Sequence, residues 1–195
     1  MSQFCSQMDI EALLQIDLTG HEAAASAAIA QASAYIQAYT KQTIEQVEDD
    51  EVSFDGKGTD RRLFLPQVPV TEIAQVVEDD EMLTLDDDYK LGAHGILWRI
   101  GAYWSAGIQN ITVTYTHGYA TIPGVIAAVC ARVAARIYQA GAKAAQNSGV
   151  AGVQAMTLGD YSVTYVSSAD EAVQGVTAAL PLLPGEIELL DEYAL

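Results

Sequence analysis

With 195 residues and 50% apolar side chains, the chain can bury a core of its own without metals or disulfides. A net charge of −17 excludes an ordinary nucleic-acid binder, which presents clustered Lys and Arg to phosphates. No run reaches the ~18 consecutive apolar residues of a membrane span, and Met1-Ser2-Gln3-Phe4-Cys5 lacks the basic and apolar regions of a signal peptide.

Met8 to Ile16 is apolar at Ile10, Leu13, Leu14 and Ile16, which predicts a short docking helix. Thr19-Gly20-His21-Glu22 has capping-box spacing and predicts the start of a second helix, Ala23 to Tyr39. That helix is largely alanine, with Ile29, Ile36 and Tyr39 in register, so a neighbouring helix can approach closely.

Around Glu45 the pattern changes. Glu48-Asp49-Asp50-Glu51 and Asp55-Gly56-Lys57-Gly58 read as a solvated exit and a turn. Arg62 to Leu65 reads as a strand closed by Pro66, and Val70 to Val77 as the next. Glu78 to Glu81 reads as an acidic turn, with Met82-Leu83 beginning the return. Tyr89 to Leu91 and Gly95 to Trp98 are further short strands. Ile111 to Tyr115 alternates apolar residues with threonine, so Ile111, Val113 and Tyr115 are expected on one buried face.

Pro123 suits the first turn of a long helix. Its apolar stripe is Ile126, Val129, Cys130, Val133 and Ile137, with Arg132, Arg136 and Lys143 on another face. Val153 to Met156 and Tyr161 to Val166 flank Gly159-Asp160 as a hairpin. Ser168 to Glu171 is a second capping-box signal, opening a helix that Pro181 and Pro184 end, and Glu186 to Tyr193 is a last small helix. The predicted fold class is α+β. It is a helical body, residues 1–45 and 122–195, with a small antiparallel sheet inserted at 46–121 and a hairpin at about 153–166.

Charge is unevenly distributed. Tyr89 to Gly159 holds Lys90, Arg99, Arg132, Arg136 and Lys143 and no carboxylate, so this segment is +5 and the remainder −22. Either a buried region avoids carboxylates, or a basic and an acidic face meet between neighbouring copies. Cys5 in the terminal segment and Cys130 on the apolar helix predict no disulfide, which fits a reducing cytoplasm.

No catalytic or metal constellation stands out. His21, His94 and His117 lack metal-ligand spacing. Asp86-Asp87-Asp88 lacks the alternation, glycine and distal Glu of a calcium loop. No Ser or Cys sits in a nucleophile elbow, and Gly56-Lys57-Gly58 is too short to cradle phosphates. Trp98 and Trp104 read as sheet packing and subunit contacts. The expectation is a protein that is not an enzyme and needs no cofactor or metal. An acidic cellular interaction module, or an enzyme whose site is assembled from scattered residues, are the alternatives.

Several words recur in a telling order: Leu63-Phe64-Leu65-Pro66 with Pro69-Val70, Asp88-Tyr89, Gly95-Ile96-Leu97, and Val113-Thr114-Tyr115-Thr116-His117-Gly118-Tyr119 leading into Pro123. Gly159 to Tyr165 and Leu189-Leu190-Asp191-Glu192-Tyr193 follow. This order resembles the head-to-tail connector (adaptor) proteins of tailed bacteriophages, over nearly the full length. Two points depart from it: the acidic turn at Glu78 to Glu81 replaces one containing glycine, and the C-terminus is not arginine-rich.

The resemblance implies a structural protein of the virion neck, made in the host bacterial cytoplasm. Twelve copies would form a ring beneath the portal protein and join it to a tail, stopper or tail-terminator protein. Genomic DNA would pass through the lumen without specific binding, and no membrane would be involved. The acidic runs at 48–51, 78–81 and 86–88 are candidates for the lumen wall or for a solvated outer face. Arg132, Arg136, Lys143, Tyr161, Val163 and Tyr165 are the candidate subunit contacts. Ile187, Leu190 and Tyr193 are the candidate docking residues toward portal or neck.

Overall fold

The computed structural model describes residues 3–147, 155–158, 161–164 and 182–194. The chain divides into two compact units, one formed by Met1–Thr40 with Gly124–Ala194 and the other by the intervening residues 41–123. The class is α+β.

The first unit is helical. Helix α1 spans Gln7–Leu14 and opens on a reciprocal cap: Asp9 N–H donates to Ser6 Oγ, and Ser6 N–H donates to Asp9 Oδ2 at 2.7 Å. Only Ile10 of its apolar residues is buried. Helix α2 spans Glu22–Thr40 and buries Ala25, Ala28, Ile29, Ala32 and Ile36, the small residues allowing close packing on helix α3, Gly124–Asn147. The cap of α2 differs from the expected one. Thr19 turns back to Asp17, and the Glu22 carboxylate accepts the Gly20 N–H at 2.9 Å.

On α3 the expected stripe holds: Ile126, Val129, Cys130 and Val133 are fully buried, with Ile137 half-buried. Gly124–Lys143 is long and apolar enough to cross a membrane by length and composition. Ile126, Val129, Cys130 and Val133 of this stretch are buried within the helical unit, and Arg132 and Arg136 interrupt it. Strands β8 (Ala155–Leu158) and β9 (Tyr161–Thr164) pair antiparallel, and the rest of the expected hairpin lies outside the described residues. Helix α4 spans Pro184–Asp191, with Pro184 in its first turn. The helix expected from Ser168 lies outside the described residues.

The second unit is β-structure, and it has two sheets where one was expected. Strands β1 (Val47–Gly56), β2 (Arg62–Phe64), β3 (Val70–Glu78), β4 (Glu81–Met82), β5 (Tyr89–Leu91), β6 (Ile96–Arg99) and β7 (Gly107–His117) follow in order. They form sheets ordered β1-β7-β3-β4 and β2-β6-β5, all antiparallel. Leu97 and Tyr89 from the smaller sheet share one core with Val76, Ile111, Val113 and Tyr115 from the larger, closed by Trp104.

The acidic run Glu48 to Glu51, expected as a solvated exit, lies inside β1. The strand pairs with β7 over its length, interrupted by an irregularity between Val47 and Asp50, and Asp49 sits at φ 51°. Beyond that point Val52 and Phe54 turn inward while Glu51, Ser53 and Asp55 face water.

Gly118 explains the word that follows β7. Its φ is +84°, and a Cβ there would lie 2.5 Å from the Glu45 carbonyl oxygen, so only glycine fits. The Val68–Pro69 peptide is cis.

Candidate functional site

Several features of the helical unit bear on contacts with other molecules. Arg132 and Lys143 are exposed on α3, as a contact role requires. Arg136 is not on the same footing. Its Nη1 donates to Glu186 Oε1 at 2.8 Å and its Nη2 to Glu186 Oε2 at 2.6 Å, a bidentate pair that ties α4 to α3. Burial alone would push the Glu186 carboxyl up. The Arg136 bonds, the Leu183 N–H at 2.9 Å and the field of Arg132 outweigh burial and hold it below the usual carboxylate range.

Of the three expected docking residues, Leu190 is corrected: it is fully buried in the helical unit and offers no surface. Ile187 and Tyr193 are half-buried. The Tyr39 hydroxyl donates to the Asp191 carboxylate, so α4 is anchored to α2 as well. Tyr161 and Val163 lie on β9, and Tyr165 falls outside the described residues.

Two further surfaces of this unit are apolar. On and after α1, the segment expected as a short docking helix, Met8, Leu13 and Ile16 are exposed, Met8 by 75%. Between α2 and α3 lies an open, apolar groove of about 490 Å³, lined by His21, Ala24, Ala28, Gln31, Ile137 and Tyr138.

The terminal segment is held rather than loose. The Phe4 N–H donates to Ser33 Oγ at 3.1 Å, and Phe4 and Cys5 are both buried. This brings Cys5 Sγ to 3.3 Å from Cys130 Sγ, two thiols that the chain separates by 125 residues.

In the β unit the two tryptophans divide. Trp104 is buried and its Nε1 donates to the Arg61 carbonyl at 3.1 Å, which is packing. Trp98 is 44% exposed, and the register places Arg62 and Lys90 on either side of it, with Phe64 exposed nearby on β2. The Arg62 guanidinium lies 5.7 Å from the Trp98 ring and 5.8 Å from the Phe64 ring. The result is a small cationic–aromatic patch on a strongly acidic protein.

The turn at 78–81 is acidic only in part. Asp79 and Asp80 occupy its corners at positive φ, whereas Glu78 is buried. Glu78 Oε2 accepts Arg99 Nε at 3.1 Å and its Oε1 accepts the Ser105 N–H at 2.6 Å. Arg99 Nη1 also donates to the Asp88 carbonyl at 2.7 Å, so this guanidinium joins the two sheets.

Chemistry is sparse. His117 is buried with Nε2 3.2 Å from Asp50 Oδ2. His94 occupies a turn at φ 56°, and His21 lines the groove on the other unit. Among the described residues no three His, Cys, Asp or Glu side chains converge as metal ligands.

The comparisons agree with this picture. The family model described as head completion protein matches residues 3–134, more than half of the chain. The chain belongs to the head completion protein family. Its role is structural, that of a phage head-to-tail connector. The fold is similar to a chain from the neck of a native gene transfer agent particle computed with C12 symmetry. That match has a TM-score of 0.51 at 12% identity, over 86% of this chain and 81% of that one. A chain from the neck of the empty particle, computed with C6 symmetry, matches at 0.51 and 13% identity, over 87% and 78%. At such identities the likeness concerns the fold. No curated protein sequence matches this chain.

Proposed function

We propose that this protein forms a ring, of twelve copies, in the virion neck. It would sit between the portal and the tail or stopper components, with the genome passing through its lumen during ejection. The observation that supports this reading most is the head completion match over residues 3–134. The neck chain of similar fold, from a particle computed with C12 symmetry, supports the copy number.

The surface chemistry fits a conduit. Glu48, Asp49 and Glu51 are exposed along β1, which is an edge strand of its sheet. Facing a lumen, such a row repels phosphate instead of releasing counterions to bind it. Charges on an edge also prevent unwanted strand pairing between copies. Contacts between neighbours fall to Arg132, Lys143 and the β9 residues Tyr161 and Val163, with Trp98 and its cations as an added patch. Ile187 and Tyr193 are the residues of α4 for docking to portal or neck. The role involves no catalytic step and no cofactor.

The test is electron microscopy of the purified chain mixed with its cognate portal protein. The expected result is a twelve-fold ring with an open channel, seated on the portal. A chain that stays monomeric beside assembled portal, or a ring with another copy number, would overturn the corresponding part of the reading.

A further inference from the structure

Two buried thiols 3.3 Å apart are a reactive arrangement that the connector role does not use. Cys5 lies ahead of α1 in a segment pinned by the Phe4–Ser33 bond, while Cys130 is fully buried on α3. Ser33 Oγ is also 3.5 Å from Cys130 Sγ, so three elements meet at these sulfurs. A disulfide has an S–S distance of about 2.05 Å, so closure needs only ~1.3 Å of approach.

We propose that Cys5 and Cys130 form a redox-modification site, closing to an intramolecular disulfide when a small-molecule disulfide oxidises the folded chain. The pairing rests on geometry within the helical unit and is independent of the neck reading.

The geometry also orders the steps. Cys5 retains a sliver of exposure at 8%, whereas Cys130 has none, so the oxidant meets Cys5 first. The Cys5 thiol loses its proton and attacks one sulfur of the small disulfide, forming a mixed disulfide and releasing one small thiol. Cys130, as thiolate, then attacks Cys5 Sγ and expels the second small thiol. Two protein thiols lose two protons and two electrons in all, and one small disulfide is reduced to two thiols.

In the reduced chain Cys5 donates its S–H to the Cys130 sulfur, which pushes the Cys5 thiol up and slows the first step. Once that proton has left, the Ser33 hydroxyl still favours the Cys130 thiolate for the second. In a particle that leaves a reducing cell the bond forms after release, a consequence that does rest on the neck reading. The cross-link would pin the terminal segment and α1 to α3.

The experiment equilibrates the folded, reduced full-length chain with oxidised glutathione, then blocks remaining thiols with an alkylating agent. Intact mass and peptide mapping read the products. The expected result is a chain lighter by two hydrogens, unalkylated, with the Cys5 and Cys130 peptides joined, and a melting temperature several degrees higher. Cys130→Ser should stop at a lasting glutathione adduct on Cys5. Two alkylated thiols in the folded wild type, bonds only between chains, or bonds only after denaturation would each overturn the proposal. The wild-type measurement decides alone if the serine variant does not fold.

Discussion

Val113 lies between Val52 on β1 and Val76 on β3, directly in register with both, and its side chain is fully buried. With Ile111 and Tyr115 it forms the inward face of the central strand, the face that alternation with threonine predicted. Tyr115 is buried so completely that its phenol is pushed up to about 12. An unpaired carboxylate at position 113 has no compensating partner in this core. Val113→Asp is therefore expected to cost several kcal/mol, enough to abolish the cooperative melt of the β unit. Wild-type-like thermal unfolding of that variant would show the facing to be wrong. Glu78 gives the opposite lesson at the same scale: a residue that reads as a solvated turn carboxylate is a buried acceptor for Arg99 and the Ser105 N–H. Nothing adjacent to it in sequence marks it out, because both partners arrive from more than 20 residues away.

At the scale of elements, α4 has only eight residues and needs tertiary support to persist. Leu190 supplies apolar contact, and Glu186 supplies the bidentate pair with Arg136 together with a cap on its own helix through Leu183. Glu186→Gln is expected to destabilise the helical unit by about 2 kcal/mol at neutral pH, the range for hydrogen bonds to charged groups. The sign of the pH dependence follows from the lowered carboxyl. Its contribution is complete above the unfolded value of about 4.3 and is lost as pH falls through the folded value. Urea melts of wild type and variant should thus differ at pH 7 and converge in acid. A gap that stays constant on acidification would place the effect in packing instead of charge. Strand β1 is the element that sequence reading missed, because four consecutive carboxylate residues hid a strand that exists only through its pairing with β7.

For the whole molecule, the basic segment from Tyr89 to Gly159 is partly consumed inside the fold. Arg99 pairs with Glu78 and Asp88, and Arg136 pairs with Glu186. Reversing Arg136 would thus confront two carboxylates within one chain and test folding rather than assembly. Arg132 and Lys143 remain exposed on α3 and are the charges to reverse. Arg132→Glu with Lys143→Glu should leave the monomer folded, with a small loss of stability from the Arg132 field on Glu186, and slow ring assembly on the portal severalfold. The defect should shrink with added salt, since exposed charges are screened over ~10 Å at 0.1 M. Equal assembly of variant and wild type across a salt series would sink the idea that charge complementarity sets the register between copies.

The sequence alone determined what repeats locally. The alternation at Ile111 to Tyr115, the stripe of α3 and the alanine face of α2 each report which side of an element is apolar, and burial follows from that directly. The order of short words from Leu63 to Tyr119 carried the family resemblance, because turns and close approaches such as Gly118 demand particular residues at particular places. What only the tertiary structure decided are the pairings across long separations. Two sheets instead of one, an acidic edge strand, Arg136 held by Glu186, Leu190 in the core, and Cys5 against Cys130 all depend on which distant segments meet. A periodicity tells a side chain which way to face, but carries no information about what it will face.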